Sequence, residues 1–169
     1  MLTRPRYVKS EAVKMLERLE QDAYRKAHPM IPAAAAVPTK HRDDTANGLT
    51  RCILRYLTLS GWQAERINTM GRPIGLSRRT CGAGHTPRPG VLRWGKSTST
   101  RGSADLSATI AGRSVKIEVK VGRDRQSEAQ RAYARAVEQA GGLYVVARDL
   151  EQFVAWYEDH FGGKEVRDE

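Results

Sequence analysis

The chain has 169 residues, 40% of them hydrophobic, which is enough for one domain of ordinary size with a buried core. It carries 29 Lys and Arg against 19 Asp and Glu, a formal net charge of +10. Such a charge is typical of proteins that bind an anionic partner, most often nucleic acid, although a structural or merely soluble basic protein can share it. No apolar run approaches the roughly 20 residues of a membrane span, and two cysteines form no disulfide framework. These features favour a cytoplasmic protein that does not bind membranes.

Residues 1–44 are interpreted as an N-terminal extension. Apolar residues recur at helical spacing between positions 8 and 27, which predicts one helix. The stretch from 28 to 44 is rich in proline and alanine and predicts a linker. We expect the helix and linker to stand apart from a domain at 45–169. The helix could pack on that domain, pair with a second copy in a homodimer, or form a loose basic arm.

The domain is predicted to begin with a helix from 45 to about 60, capped by Thr45 and stopped by Gly61. Residues 63–69 predict a short strand, 71–90 a loop with at most one strand, and 91–94 another strand. The stretch from 66 to 104 holds eight Lys or Arg and no Asp or Glu. Such a block is usually solvated, but beside an acidic cluster we expect it to attract phosphate groups.

The last third of the chain has the clearest pattern. Residues 106–121 predict a β-hairpin, 127–140 a helix, 143–147 a short apolar strand, and 150–161 a second helix. Mixed strands and helices place the chain in the α/β class, with a central mixed sheet of four or five strands and helices on both sides.

The register of the hairpin follows from its alternating apolar residues. A two-residue turn at 111–112 pairs Leu106 with Ile117 and matches the apolar faces of the two strands, whereas a slip of one residue would break that match. The same register puts Asp105 directly opposite Glu118. Opposite residues of an antiparallel pair have Cβ atoms roughly 4.5 to 5.5 Å apart, so these two carboxylates are expected to lie close together.

Two adjacent carboxylates repel each other unless a cation lies between them, and Mg²⁺ is commonly held by one or two carboxylates with waters and a substrate phosphate. Lys120 shares a face with Glu118 and could orient or help deprotonate an attacking water, or stabilise developing negative charge. The alternative is an ordinary surface ladder, in which these side chains and Lys116 form exposed ion pairs that each contribute little.

These residues resemble a known family. The segment Gly102-Ser103-Ala104-Asp105-Leu106, followed after the turn by Ile117-Glu118-Val119-Lys120, resembles the PD-(D/E)XK nuclease signature, with Ser-Ala where many members have a Pro before the Asp. The continuation, Ser127-Glu128-Ala129-Gln130 and then Gly141-Gly142-Leu143-Tyr144-Val145-Val146, is similar to the VRR-NUC and Holliday-junction-resolvase-like branch. The resemblance covers residues 45 to 155 approximately.

The resemblance implies a restriction-endonuclease-like core and a Mg²⁺- or Mn²⁺-dependent endonuclease that hydrolyses DNA, double-stranded or branched. It implies Asp105, Glu118 and the Val119 backbone carbonyl as metal ligands, with Lys120 serving the nucleophilic water. It also places Gln130 in the site. Because Ser127 and Gln130 equally form a capping box, both roles could coexist if Gln130 moves. A non-catalytic nucleic-acid-binding module on the same fold is the alternative.

One position departs from the family pattern. Members usually carry a Glu in the helix before the first strand, but the helix from 45 to 60 contains no Glu or Asp. Asn47 is the nearest polar candidate and could ligate a metal without bringing charge, which favours one metal over two. The alternative is that Asp44 or Asn47 caps the helix.

Candidate contacts to the phosphate backbone surround the acidic pair in the sequence. They are Arg66, Asn68, Arg101, Lys116, Arg123 and Arg125. Arg123 and Arg125 follow the catalytic strand in a turn, where they could clamp the backbone. Arg66 could equally pair with a surface acid, and Lys116 could simply be solvated.

Overall fold

The computed structural model describes residues 7–32, 39–67, 72–74, 93–95 and 100–162. In chain order the elements are α1 (Glu11–Ala27), α2 (Ala46–Leu59), β1 (Gln63–Arg66), β2 (Arg72–Ile74), β3 (Arg93–Gly95), β4 (Leu106–Ile110), β5 (Arg113–Val119), α3 (Glu128–Gln139), β6 (Leu143–Ala147) and α4 (Leu150–Phe161). Within these ranges no helix combines the length and the apolar character needed to span a membrane.

Each helix begins at a residue whose side chain accepts a hydrogen bond from the first turn. The caps are Ser10, Thr45, Ser127 and Asp149. Short polar side chains are favoured at this position because they satisfy backbone N–H groups that have no partner within the helix. Thr45 is therefore confirmed as the cap of α2, and the alternatives Asp44 and Asn47 were wrong.

Four strands form a mixed sheet in the order β1-β4-β5-β6. The first two pairings are antiparallel, and β5 pairs with β6 in parallel, with α3 as the connection between them. The short strands β2 and β3 pair with each other in a separate antiparallel ribbon. This arrangement confirms the predicted α/β architecture, a mixed sheet flanked by helices.

The β4–β5 hairpin has the predicted register. Leu106 pairs with Ile117, and Ile110 pairs with Arg113 across the turn. Ala111 and Gly112 both have positive φ, 47° and 77°, as a type I′ turn requires. Because alternate residues of a strand point to opposite faces, this register sends the apolar residues of both strands into the core.

Three helices cover the apolar face of the sheet. Leu16 of α1, Ile53 of α2 and Phe153 of α4 are fully buried in one continuous cluster with the apolar residues of β4, β5 and β6. The fourth helix, α3, lies on the other face, where the Tyr133 ring meets the Tyr144 ring of β6 edge to face with centroids 6.3 Å apart. Helices therefore flank both sides of the sheet, as expected.

Helix α1 packs into this core and does not stand apart from it. It begins at Glu11, so that Val8 precedes the helix and is exposed. Ala12, Val13 and Leu16 are buried against α2 and α4. Of the three alternatives left by the sequence, packing on the domain is the one observed. The expectation of a separate helix was wrong because an amphipathic stripe shows that a helix buries one face without showing which surface covers it.

The chain leading into α2 is also bound to the rest of the fold. The Asp43 side chain is 7% exposed, and its carboxylate accepts hydrogen bonds from the Tyr7 hydroxyl at 2.8 Å and the Leu150 backbone N–H at 3.1 Å. His41 lies 2.6 Å from the Glu20 carboxylate of α1. Residues 41–43 are therefore joined to both α1 and α4.

Two leucines of α1 provide a matched test of its packing. Leu16 is fully buried, whereas Leu19 is 41% exposed. We expect Leu16→Ala to lower the free energy of unfolding by about 2–5 kcal/mol, because it leaves a cavity in the core, and Leu19→Ala to have a much smaller effect. Urea denaturation of both variants measures the difference. Equal effects would show that α1 is not part of the core.

Candidate active site

The candidate site lies where β5 ends and β4 begins. Asp105 immediately precedes β4, and one of its carboxylate oxygens, Oδ2, accepts a hydrogen bond from the Val119 backbone N–H at 2.9 Å. The Asp105 carbonyl accepts from the Ile67 N–H at 2.8 Å, which continues the β1–β4 ladder by one step. Asp105 is therefore fixed on both sides beside the last residues of β5.

A glycine shapes the turn that delivers Asp105. Gly102 has a φ of 83°, and a Cβ at this position would clash with the Ala129 carbonyl and the Gln130 backbone nitrogen. Only glycine combines this backbone conformation with so close an approach. The turn can therefore lie against the first turn of α3, which brings Gln130 to the same end of the sheet as Asp105.

Glu118 is buried at the centre of the site, with 1% of its surface exposed. Lys120 Nζ lies 3.0 Å from Glu118 Oε1, and the Gln130 side-chain amide donates to the same oxygen. The Tyr144 hydroxyl lies 3.5 Å from Oε2. Burial raises the pKa of Glu118 and the hydrogen bond from Lys120 lowers it, while the charge of Asp105 raises it further, so that the net direction is upward. Ionised Glu118 is thus held at a cost in stability.

Lys120 is 8% exposed and lies between two carboxylates, Glu118 at 3.0 Å and Asp124 at 3.2 Å. Burial alone lowers the pKa of Lys120, but the hydrogen bonds and charges of the two carboxylates outweigh burial and raise it. Lys120 is therefore protonated at neutral pH. The alternative of an exposed surface ladder fails for Glu118 and Lys120, because both are buried.

Gln130 makes the contacts of the capping box and a contact with Glu118 at the same time. The side-chain oxygen of Gln130 accepts a hydrogen bond from the Ser127 backbone N–H at 2.8 Å. The Gln130 backbone N–H donates to Ser127 Oγ at 3.2 Å, which completes the capping box. Its side-chain NH₂ donates to Glu118 at the same time. One amide group thus links the start of α3 to the buried carboxylate.

Three residues of the site were missed by the sequence analysis: Tyr144, Asp124 and Gln126. Tyr144 pairs with Lys116 in the β5–β6 register, and its hydroxyl accepts from Gln126 Nε2 at 3.4 Å. Burial, followed by the charge of Glu118, raises the pKa of Tyr144, so its hydroxyl stays protonated at neutral pH and can donate a hydrogen bond to Glu118. Because alternate residues of a strand face opposite sides, Tyr144 lies on the opposite face from the core residue Val145. The register of β6 beside β5, which brings Tyr144 to Glu118, had no signal in the sequence.

Asn47 and Arg66 form a pair of their own. Arg66 Nη2 donates to Asn47 Oδ1 at 3.2 Å, and both residues are exposed. This contact joins Asn47 to the end of β1, and the described contacts do not join it to Asp105 or Glu118. The side-chain partner of Arg66 is therefore the Asn47 amide, and among the described residues Arg66 forms no ion pair with a surface acid.

The other candidate phosphate contacts are spread around the site. Lys116 Nζ donates to Ser107 Oγ at 2.6 Å across the hairpin, so it is bonded to its own protein rather than simply solvated. Arg101 is exposed just before the turn at Gly102, and Arg123 and Arg125 are exposed in the turn after β5. Asn68 lies outside the described residues. Arg101, Arg123 and Arg125 thus flank the end of the sheet that holds Asp105.

The donor atoms at this end of the sheet fit a single divalent cation. Asp105 and Glu118 supply carboxylates, and the Val119 carbonyl projects to the same strand edge as its N–H, towards Asp105. Mg²⁺ takes one or two carboxylates and completes its shell with water and phosphate oxygens. Across the described ranges, no group of three or more His, Cys, Asp or Glu side chains is placed to hold a metal.

Comparisons of the chain with protein-family models, with curated proteins and with solved structures find no match. The function is therefore inferred from the residues of the site and their geometry, together with the resemblance of the sequence motifs.

The burial of Glu118 makes the stability of the protein depend on pH. The pKa of Glu118 is raised in the folded state above the ordinary glutamate value of 4.5. As the pH rises through 4.5, the Glu118 carboxyl therefore loses its proton in the unfolded chain before it does so in the folded protein. We therefore expect wild type to lose stability relative to Glu118→Gln as the pH rises from that value towards the raised folded pKa. Thermal melts from about pH 4 to about pH 8 without divalent metal measure this.

The matched control for this experiment is Glu151→Gln, which neutralises an exposed glutamate of α4. A gap between wild type and Glu118→Gln that stays constant across the pH range would contradict the proposed cost of ionising Glu118.

The two roles of Gln130 can be separated through its partner in the capping box. Ser127→Ala removes only the cap and is expected to cost about 1 kcal/mol of the free energy of unfolding. Gln130→Ala removes the other half of the capping box, the side-chain acceptor for the Ser127 N–H, together with a donor to the buried Glu118 carboxylate. The lost donor is expected to cost roughly 1–3 kcal/mol more. Urea denaturation at neutral pH compares the two variants. Equal losses would mean that the contact between Gln130 and Glu118 contributes nothing.

Proposed function

We propose that this protein is a Mg²⁺- or Mn²⁺-dependent deoxyribonuclease that hydrolyses phosphodiester bonds. The observation that carries the proposal is the meeting of Asp105, buried Glu118 and protonated Lys120 at one end of the β4–β5 pair. Buried carboxylates beside a lysine are unfavourable for stability alone, and such arrangements are concentrated at functional sites. The resemblance to the PD-(D/E)XK signature, in its VRR-NUC and Holliday-junction-resolvase-like branch, assigns the same three residues.

In this proposal Asp105, Glu118 and the Val119 carbonyl hold the metal. The bound cation would supply a Lewis acid that polarises the scissile phosphate and activates a water. Gln130 and Tyr144 fix the orientation of the Glu118 carboxylate through its two oxygens. Fixed side chains of this kind reduce the reorganisation that is needed during the reaction.

Lys120 has a role that follows from its donor count. A protonated lysine has three N–H donors, and Glu118 and Asp124 occupy two of them. The third is available to a water or to a phosphate oxygen that gains negative charge. Because the raised pKa keeps Lys120 protonated, we assign it to charge stabilisation and orientation of the water rather than to proton abstraction.

The charge of the protein supports DNA as the substrate. The net charge is +10, and Arg101, Arg123 and Arg125 flank the site. Basic groups that neutralise phosphates release counterions, which drives binding at low salt. Arg66 and Asn68 complete the proposed contact set.

Branched DNA as the preferred substrate, and the homodimer that junction cleavage would require, are supported by the resemblance alone. A cytoplasmic location is proposed with them, in keeping with the unpaired Cys52.

A second candidate function is a nucleic-acid-binding module without catalysis. The observation that favours it is the absence of an acidic residue from α2, together with the engagement of Asn47 by Arg66. Such a module would bind DNA in a salt-sensitive manner with no dependence on divalent metal.

Cleavage assays distinguish these two functions. We expect wild type to cut supercoiled plasmid with Mg²⁺ or Mn²⁺ and not with EDTA. Asp105→Asn removes a ligand charge and Lys120→Gln removes the cation, and each is expected to reduce cleavage at least about 100-fold. The control Glu151→Gln is expected to cut like wild type. A labelled four-way junction in the same assay shows whether cutting is paired across the junction.

Two outcomes would contradict the nuclease. If wild type binds DNA but cuts it with neither metal, the binding module is the better description. If Asp105→Asn and Lys120→Gln cut as fast as wild type, the reaction does not occur at this site.

A further inference from the structure

A basic cavity lies at the start of α2, outside the candidate active site. It is open to solvent, has a volume of about 250 Å³, and is lined by residues 40–42 on one side and by the first turns of α2 on the other. Its charged lining consists of Lys40, Arg42 and Arg51, with His41 beside them, and it contains no acidic residue. The cavity is thus lined by groups that suit an anion.

The positive charge of the cavity is only partly neutralised within the protein. Arg42 is bonded to Asp44, with its Nε at 3.1 Å and its Nη2 at 2.6 Å from the carboxylate oxygens. Lys40 and Arg51 are exposed and form no ion pair with the part of the chain that the structure describes. Since the first turn of α2 also has no acidic residue, a bound anion would find two uncompensated cations there.

The walls of the cavity are held in place by contacts on both sides. A Cβ on Gly48 would clash with the Arg42 carbonyl, so segment 40–42 and α2 are in direct backbone contact. The next residue, Asp43, is buried and bonded to Tyr7 and Leu150. The cationic groups are therefore attached to a fixed backbone, which lowers the entropy cost of binding an anion.

The cavity is connected to the candidate active site through Arg66. Asn47, which lines the cavity, accepts a hydrogen bond from Arg66 at 3.2 Å. Arg66 pairs with Leu106 in the sheet, and Leu106 directly follows Asp105. Paired residues share a face of the sheet, so Arg66 lies on the face of core residue Leu106, whereas Asp105, one position earlier, faces the other side. The cavity and the carboxylate pair thus lie at the same end of β1 and β4, on opposite faces of the sheet.

We propose that this cavity binds a phosphate of the DNA backbone outside the catalytic centre, through Lys40, Arg42 and Arg51. The proposal rests on the proposed function, because the anion is part of the same DNA whose cleavage is assigned to Asp105 and Glu118. Contacts to phosphate fix the position and direction of a nucleic acid without reading its sequence. A phosphate held in the cavity would therefore help to position the bound DNA on the protein, for every base sequence.

The test compares two double variants that each remove two positive charges. Lys40→Gln/Arg51→Gln removes the uncompensated cations of the cavity. Arg113→Gln/Arg135→Gln is the matched control, because Arg113 lies at the opposite end of β5 from Glu118 and both arginines are exposed. Binding of a fluorescently labelled DNA duplex is measured in EDTA over a series of salt concentrations, so that no cleavage occurs.

We expect the slope of log K against log salt to fall by about 1 for each phosphate that the cavity variant no longer neutralises, and to change much less in the control. The charge-preserving variant Lys40→Arg/Arg51→Lys is expected to bind like wild type. Because all of these side chains are exposed, the thermal melts of the variants should stay close to that of wild type.

Each contrary result has a separate meaning. Equal slopes for the cavity variant and the control would overturn the cavity as a phosphate site, even if wild type binds and cuts DNA. Failure of the charge-preserving variant to bind like wild type would also overturn it, since the weaker binding would then follow from a change in structure rather than in charge. A wild type that binds no DNA would overturn both this inference and the proposed function.

Discussion

The pairing of β4 with β5 is the constraint on which the candidate site depends. Its register is set at the turn, where Ala111 and Gly112 both adopt positive φ, and the effect appears at the other end of the strands, where Asp105 meets Glu118. A slip of one residue would move every side chain to the opposite face and separate the two carboxylates. The backbone conformation of the turn at Ala111 and Gly112 therefore determines the geometry of the site at the opposite end of the two strands.

The same pairing explains why charged groups can be buried here. Glu118 lies on β5, which is paired on both sides, and Lys120 directly follows β5 and donates its backbone N–H to the Ala147 carbonyl at 2.9 Å. Glu118 is fully buried, and Lys120 is 8% exposed. Burying an ion pair costs more than exposing it unless the remaining donors and acceptors are satisfied. Gln130, Tyr144 and Asp124 satisfy them, and no buried side-chain nitrogen or oxygen among the described residues lacks a hydrogen-bond partner. These contacts hold the side chains of the site in place before any ligand binds.

The features that the sequence predicted correctly are those with local causes. The hairpin register follows from alternation and a two-residue turn, and the caps Thr45 and Ser127 follow from side chains next to the helices they begin. Asp105, Glu118 and Lys120 came together because they lie on one hairpin. Each of these predictions used residues within one helix end or one hairpin, no more than 15 positions apart in the chain.

The features that the sequence did not predict have causes that are distant in the chain. The role of Tyr144 depends on the parallel register of β6 beside β5, and the partner of Asn47 depends on how α2 packs against β1. Asp124 is the exception, because it lies only four positions after Lys120 but reaches it through the path of an irregular loop. The placement of α1 required knowledge of α4, which forms at the other end of the chain. None of these arrangements leaves a periodic signal.

The bond between Asp43 and Leu150 joins residues 107 positions apart, and it has a consequence for how the chain folds. The apolar faces of α1 and α2 are completed by α4, which leaves the ribosome well after them. Contacts so distant in sequence form slowly, because a long loop must close before they contribute. The nascent chain therefore leaves part of the inner faces of its first two helices uncovered until α4 has left the ribosome, and apolar surface exposed in this way is what chaperones bind.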